Sequence, residues 1–217
     1  VYADFDLDGT SGLALLARAL RDFGFENLVH YQPLRLSEGY GLHASAVEGL
    51  AESGVKVIVT VDVGITAHAA AQTALALGVD LIITDHHLPE NQLPPAFAIV
   101  NPNRGTCPSR LGHLSGAGVA FYLVLALKRE LERQGLLNRK FNPKELLDCF
   151  VIGTLTDLVP LIAENRVLVK HGLLQLQTTQ RPGLRHLMER LGLLGRPLTS
   201  SDVAIGLAPK LNALSRM

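Results

Sequence analysis

Two β-branched runs, residues 56–62 (KVIVTVD) and Asp80–Thr84 (DLIIT), stand a helix-length apart, and each leads into an acidic residue at its end. Runs this apolar bury both faces, which a strand does inside a sheet covered on two sides. The segment between them, residues 67–77 with Gly78 as its stop, has helical length. The pair therefore reads as a parallel βαβ unit.

The same alternation fills the first hundred residues. Residues 1–6 are strand-like, and residues 12–25 carry Leu13, Leu15, Leu16, Ala19 and Leu20 at helical spacing. Residues 28–31 form a short strand candidate, 43–53 a helix stopped by Gly54, and 98–101 a further short strand. From Gly116 the pattern changes. Residues 117–134 form a long amphipathic helix ending at Gly135, and helical stretches follow near 143–152, 165–178, 183–193 and 201–206. The predicted fold class is α/β, a parallel β-sheet flanked by helices, with a mainly helical C-terminal portion. Residues 1–105 form the α/β core, and 106–217 the helical remainder of the same domain.

Hydrophobic residues make up 47% and charged residues 18% of the 217, enough to bury a core and too apolar for a disordered chain. No apolar run reaches the roughly 18–20 residues that span a bilayer. Cys107 and Cys149 match no metal-ligand spacing and no disulfide framework, which fits a reducing cytoplasm. Val1-Tyr2-Ala3 lacks an initiator Met and a signal-peptide layout, and reads as the later half of a strand in a longer chain. Charge is polarised: residues 1–100 hold 4 Lys/Arg against 12 Asp/Glu, and residues 101–217 hold 16 against 8. The acidic half needs a cation or a solvated surface, and the basic half can attract phosphate or simply be solvated.

Three places concentrate chemistry. Asp4-Phe5-Asp6-Leu7-Asp8-Gly9 sets three acids on one face of a continuing strand, or fans them around a turn opened by Gly9. Such close carboxylates repel unless a cation neutralises them; otherwise the segment is a polar loop with Asp8 or Thr10 as N-cap. Asp62 ends its strand and is followed by Gly64. It is an N-cap or hydrogen-bond anchor, or part of a ligand site of the kind that forms at carboxyl ends of parallel strands. Asp85-His86-His87 follows DLIIT, ahead of a Pro-rich loop at 89–95. Paired imidazoles beside a carboxylate suit metal ligation or general acid work, with a structural pair as the alternative. This oxygen-rich set with one or two imidazoles suits Mn²⁺ or Mg²⁺ better than structural Zn²⁺. Two such ions about 3.5–4 Å apart activate water for in-line displacement at phosphorus.

GYGL (39–42), TVDVGIT (60–66), TDHH (84–87), LSGAGVAF (114–121), GTLTDLVPL (153–161), ENR (164–166), RPGL (181–184) and APKLNALSRM (208–217), preceded by the Asp4–Gly9 hexapeptide, cover nearly the whole chain. In order and spacing they resemble the DHH phosphoesterase superfamily and, within it, the RecJ branch of single-strand-specific 5′→3′ DNA exonucleases. The resemblance implies Asp6, Asp8, Asp62, His86 and Asp157 as ligands of two Mn²⁺ or Mg²⁺ ions, with Asp62 bridging. It implies that His87 contacts the scissile phosphate or protonates the leaving group, and that Asp4 is a further ligand or orients one. Asp157 emerges from the resemblance alone. Its apolar setting makes an unpaired carboxylate costly, with helix capping as the alternative.

Under this reading single-stranded DNA crosses the basic half, with Arg104, Arg110, Arg166, Lys210 and Arg216 as candidate phosphate contacts. An aromatic content of 5% and no Trp offer little base stacking. Tyr2 stands where the pyrophosphatase and short-oligonucleotide branches carry a His, and Ser215 where the family has a Gly. RecJ proteins continue into a DHHA1 domain and often an OB-like domain that grip DNA. A chain without them is expected to bind Mn²⁺ but degrade DNA feebly. A single-strand-binding protein or a helicase are the implied protein partners, with no membrane. Two other readings stay open: a phosphodiesterase on cyclic dinucleotides or short RNA, and a non-catalytic scaffold, the latter opposed by the filled ligand positions.

Overall fold

The computed structural model describes residues 1–137 and 140–214; Ser215 and the candidate phosphate contact Arg216 lie outside the described residues. Four parallel strands, β1 (Tyr2–Ala3), β2 (Val57–Val61), β3 (Asp80–Thr84) and β4 (Ala98–Val100), line up in the order β1-β2-β3-β4. Their register aligns Ala3 with Val61, Val59 with Ile82, and Thr84 with Val100. The amide just beyond each of the first three strands then bonds to the next strand's last carbonyl. Asp4 N–H donates to Val61 O (3.2 Å), Asp62 N–H to Thr84 O (3.0 Å) and Asp85 N–H to Val100 O (3.1 Å). Parallel pairing thus sets three acids in a row along the carboxyl edge of the sheet.

Side chains alternate along the strands into two cores. Tyr2, Ile58, Leu81 and Ile83 pack with α2 (Ala44–Glu52) and α3 (His68–Ala76). Ala3 and Val61 pack on the opposite face with α1 (Leu7–Asp22), α4 (Gly116–Arg133) and α5 (Leu147–Thr156). A 3₁₀ turn at Pro143–Leu146 leads into α5; α6 (Ala163–Gln177) and α7 (Pro182–Arg190) follow. A π-helical segment, Asp202–Leu207, then runs into α8 (Ala208–Leu214). Cover on both faces is why the strands carry few polar residues. No helix among the described residues is long and apolar enough to cross a membrane.

The parallel sheet with helices on both faces and a helical C-terminal portion matches the predicted fold class, and several boundaries differ. Helix α1 starts at Leu7, five residues before the predicted start at residue 12. Asp6 caps it, with its carboxylate accepting the Gly9 N–H (2.9 Å) and its carbonyl accepting the Thr10 hydroxyl (2.6 Å). Neither Asp8 nor Thr10 is the cap, and Asp8 lies in the first helical turn. The strand expected at residues 28–31 reduces to a single parallel bridge between Tyr31 and Tyr2. That bridge lies on the side of β1 away from β2, so the chain reverses direction across the sheet at β1, beside the acidic edge where open α/β sheets bind ligands.

Candidate metal centre

Every acidic segment singled out in the sequence converges on the carboxyl edge of the sheet. Asp8, buried in the first turn of α1, points its carboxylate at the start of α4, accepting the Gly116 N–H (2.6 Å) and the Ala117 N–H (3.0 Å). The partial positive charge of a helix N-terminus holds it there. Asp62 leaves β2 in the left-handed region at φ 64°, a conformation that costs a non-glycine residue on the order of 1–3 kcal/mol and gathers at functional sites. Asp157 ends α5, and Leu158 follows at φ 58°. Asp157 is the C-cap residue of α5, and its carboxylate at the negative pole of the helix is placed against the dipole, so the side chain gains nothing from the helix end.

Glycines bring the walls close. A Cβ at position 116 would lie 2.3 Å from Asp62 Cβ, and one at position 153 would lie 2.5 Å from Asp8 Oδ1. No side chain is tolerated at either point without shifting a carboxylate.

Three trios offer ligand atoms within 4.8 Å of one another: Asp4–Asp6–Asp62, Asp62–His86–His87 and Asp8–His86–Asp157. They share Asp62 and His86, so they form one continuous cluster holding Asp4, Asp6, Asp8, Asp62, His86, His87 and Asp157. His86 Nε2 lies 3.1 Å from Asp62 Oδ1 and 3.6 Å from Asp157 Oδ2. Asp4 Oδ1, Asp62 Oδ1 and His86 Nε2 are buried with no hydrogen-bond partner. Buried polar atoms without partners are costly. Hard oxygens with one imidazole are the donors that Mn²⁺ or Mg²⁺ accept, so the residues present fit such ions.

Electrostatics agree. Burial, then repulsion from Asp157 and Asp6, pushes Asp8 up to about 7 against the pull of the Ala117 and Gly116 amides. Burial and four neighbouring acids drive Asp62 well above the carboxylate range. Burial and Asp6 raise both Asp4 and Asp157 to about 6. These carboxylates cannot all ionise together without positive charge among them.

The histidines diverge. Burial, then the neighbouring His87, lowers His86 to about 4, leaving a neutral ring with a free electron pair. His87 is nearly half exposed, and its Nδ1 sits 2.7 Å from Asp85 Oδ1, a hydrogen bond that raises its pKa. Tyr40 packs edge-on to the His87 ring, with its hydroxyl 3.5 Å from Nε2.

Sequence reasoning gave no separate role to Asp85 and passed over Asn101 and Asn103. Asp85 accepts the Ile65 N–H (2.9 Å), the His86 N–H (2.7 Å) and the His87 N–H (3.1 Å) as well as holding the His87 ring. Burial opposes its ionisation, but the His87 and Ile65 hydrogen bonds outweigh burial and keep its pKa low. Asn101 donates to His87 O (2.9 Å) and Asn103 to His86 O. Their signal was available: short polar residues directly after a strand.

Among the described residues, the candidate phosphate contacts lie on different elements. Arg104 donates to Ile99 O (2.8 Å) in a cleft between β4 and α4. Arg166 lines a groove along α6, Arg110 sits at φ 60° in an exposed turn, and Lys210 is exposed on α8.

Residues 1–154 match the DHH family, N-terminal domain. The chain belongs to the DHH family. Among curated relatives, the single-stranded-DNA-specific exonuclease RecJ of Escherichia coli (strain K12) is 41% identical over 222 residues, covering 100% of this chain and 38% of the relative. The protein of that name from Bacillus subtilis (strain 168) is 40% identical over 217 residues, covering 100% and 26%. A crystal structure of exonuclease RecJ bound to manganese superposes with a TM-score of 0.85 at 39% identity, covering 99% of this chain and 52% of that one. RecJ from Thermus thermophilus in complex with Mn²⁺ gives 0.80 at 36%, covering 99% and 29%. The chain thus spans 38% of the length of the Escherichia coli relative.

Proposed function

We propose that this DHH chain is the catalytic portion of a two-metal phosphodiesterase that cleaves single-stranded DNA from its 5′ end. The observation that carries the reading is the continuous cluster of three ligand trios whose buried Asp4 Oδ1, Asp62 Oδ1 and His86 Nε2 lack partners. Single-stranded DNA as substrate rests on the relatives named for it.

In this reading Asp4, Asp6 and Asp62 would hold one Mn²⁺ or Mg²⁺ ion, and Asp8, His86 and Asp157 the other, with Asp62 reaching both. Such ions supply the Lewis acidity that activates water and offsets charge on phosphoryl oxygens. His86, kept neutral by burial, serves as an electron-pair donor. His87, whose pKa is raised by its hydrogen bond to Asp85, contacts the scissile phosphate and delivers a proton to the leaving oxygen. Adjacent groups with divergent pKa values are how acid and ligand roles separate in one site. The division at residue 105 into an α/β core and a helical remainder of one domain belongs to this proposal, as do phosphate contacts by the scattered cations. A cytoplasmic location follows from a DNA substrate, and a single-strand-binding protein or helicase as partner rests on the resemblance alone.

The test is hydrolysis with and without Mn²⁺ on single-stranded DNA, cyclic di-AMP and dinucleotides. We expect Mn²⁺-dependent release of 5′-mononucleotides from DNA, reduced more than about a hundredfold in Asp62→Ala. Chelator-resistant hydrolysis, or an Asp62→Ala variant as active as its parent, defeats the reading. Preference for cyclic di-AMP transfers the site to another substrate.

A further inference from the structure

Resting on the two-metal reading, we infer that Asn165 is a positioning residue for one of the two ions, the one assigned to Asp8, His86 and Asp157. Asn165 is fully buried in the first turn of α6. Its side-chain amide donates to His113 O (2.6 Å) and Pro160 O (3.1 Å), spending both hydrogens on two connectors far apart in sequence. Its own Oδ1 has no partner. A buried, unused acceptor costs about 1–3 kcal/mol, so the donors are what the position uses.

Both connectors lead to the same trio. Residue 113 comes just before Leu114, whose backbone bonds to the His86 ring, and before Ser115, which caps α4. The next two amides, Gly116 and Ala117, hold Asp8. Residue 160 comes three after Asp157 in a segment with Leu158 at φ 58° and Ala163 at φ 41°. The Asn165 amide therefore fixes the distance between the segment that holds Asp8 and His86 and the segment that carries Asp157. A second link runs in parallel, where the His113 ring donates to Glu164 (3.0 Å). Asp4, Asp6 and Asp62 reach the site from β1 and β2 and make none of these contacts.

Mn²⁺ titration by calorimetry and by electron paramagnetic resonance, where a coupled ion pair and an isolated ion give different spectra, distinguishes the two ions. In Asn165→Ala we expect one Mn²⁺ to bind ten- to a hundredfold more weakly, the other to change less than about twofold, and the coupled spectrum to give way to the isolated one. Glu164→Ala, a change at a half-exposed surface pair, weakens the same ion about threefold, and Glu164→Gln, which still accepts from His113, restores it. If Asn165→Ala does not fold, the Glu164 variants decide. Unchanged binding of both ions in every variant overturns the inference. Equal weakening of both ions together with lost thermal stability also overturns it, because the residue is then structural only. A parent chain that binds no Mn²⁺ overturns the two-metal reading instead.

Discussion

His86 and His87 are neighbours in sequence, yet burial lowers the pKa of one while the Asp85 hydrogen bond raises that of the other. The division of labour at this edge depends on one buried acid. Replacing Asp85 by Asn removes the group that raises His87, so the His87 pKa falls. Hydrolysis that needs protonated His87 then drops about 10–100-fold, and the alkaline limb of its pH profile moves to lower pH. A profile that keeps its alkaline limb would remove His87 from the acid role. The glycine walls give a second expectation at this scale. Gly116→Ala forces a methyl into Asp62 and costs about 1–3 kcal/mol by thermal melting, with weaker Mn²⁺ binding in the same variant. Asp4, Asp6, Asp8, Asp62 and the paired histidines were legible because they stand where apolar runs stop, whereas Asp157 came from the resemblance alone. The roles of Asp85, Asn101 and Asn103 were not, because their partners are mostly backbone groups brought close only by folding. The scattered cations were illegible for a different reason: a surface Arg or Lys has no periodic context to tell a ligand contact from a solvated charge.

Elements bounded by clear stops were read from the chain nearly residue for residue, notably β3, α3 and α4. The misses share a cause, which is tertiary contact overriding local signal. Two glycines in α1 argue against a helix start before residue 12, but capping by Asp6 recruits them into the first turns. Residues 28–31 suit a strand, yet only Tyr31 bridges β1. Helix α8 lies in a stretch identified by resemblance rather than by helical spacing. Another tertiary contact pins α7 to α5: the buried Asp148 accepts from the Arg181 guanidinium (2.8 Å) and the Thr179 hydroxyl (2.7 Å). Arg181 remains partly exposed, so removing it costs less than breaking a fully buried pair. We expect Arg181→Ala to lose about 2–3 kcal/mol in urea unfolding with Mn²⁺ affinity unchanged. A larger loss of metal than of stability would mean that this contact reaches the site.

Across the whole molecule, the parallel sheet collects acids at one edge, and their mutual repulsion couples folding to cations. Without metal, Asp8 is raised to about 7, Asp4 and Asp157 to about 6, and Asp62 higher than its ordinary value. At these four acids the folded state therefore holds more protons than the unfolded one between the ordinary value of 3.8 and about 7, while His86, lowered to about 4, shifts the opposite way. The stability these acids contribute is full below that window and is lost as pH rises through it. Mn²⁺ reverses the loss. At a hundred times its dissociation constant a ligand adds about 2.7 kcal/mol, on the order of 5–10 °C in Tm for a domain of this size. Calorimetric melts from pH 5 to 8 should show that gain growing with pH, and a gain independent of pH would separate the ion from these acids. The most direct measurement is anomalous diffraction at the manganese edge from crystals grown with Mn²⁺. Two peaks about 3.5–4 Å apart are expected, one against Asp4 and Asp6, the other against Asp8, His86 and Asp157, with Asp62 touching both. No peak inside this cluster, or manganese bound only elsewhere on the chain, would contradict the two-metal reading.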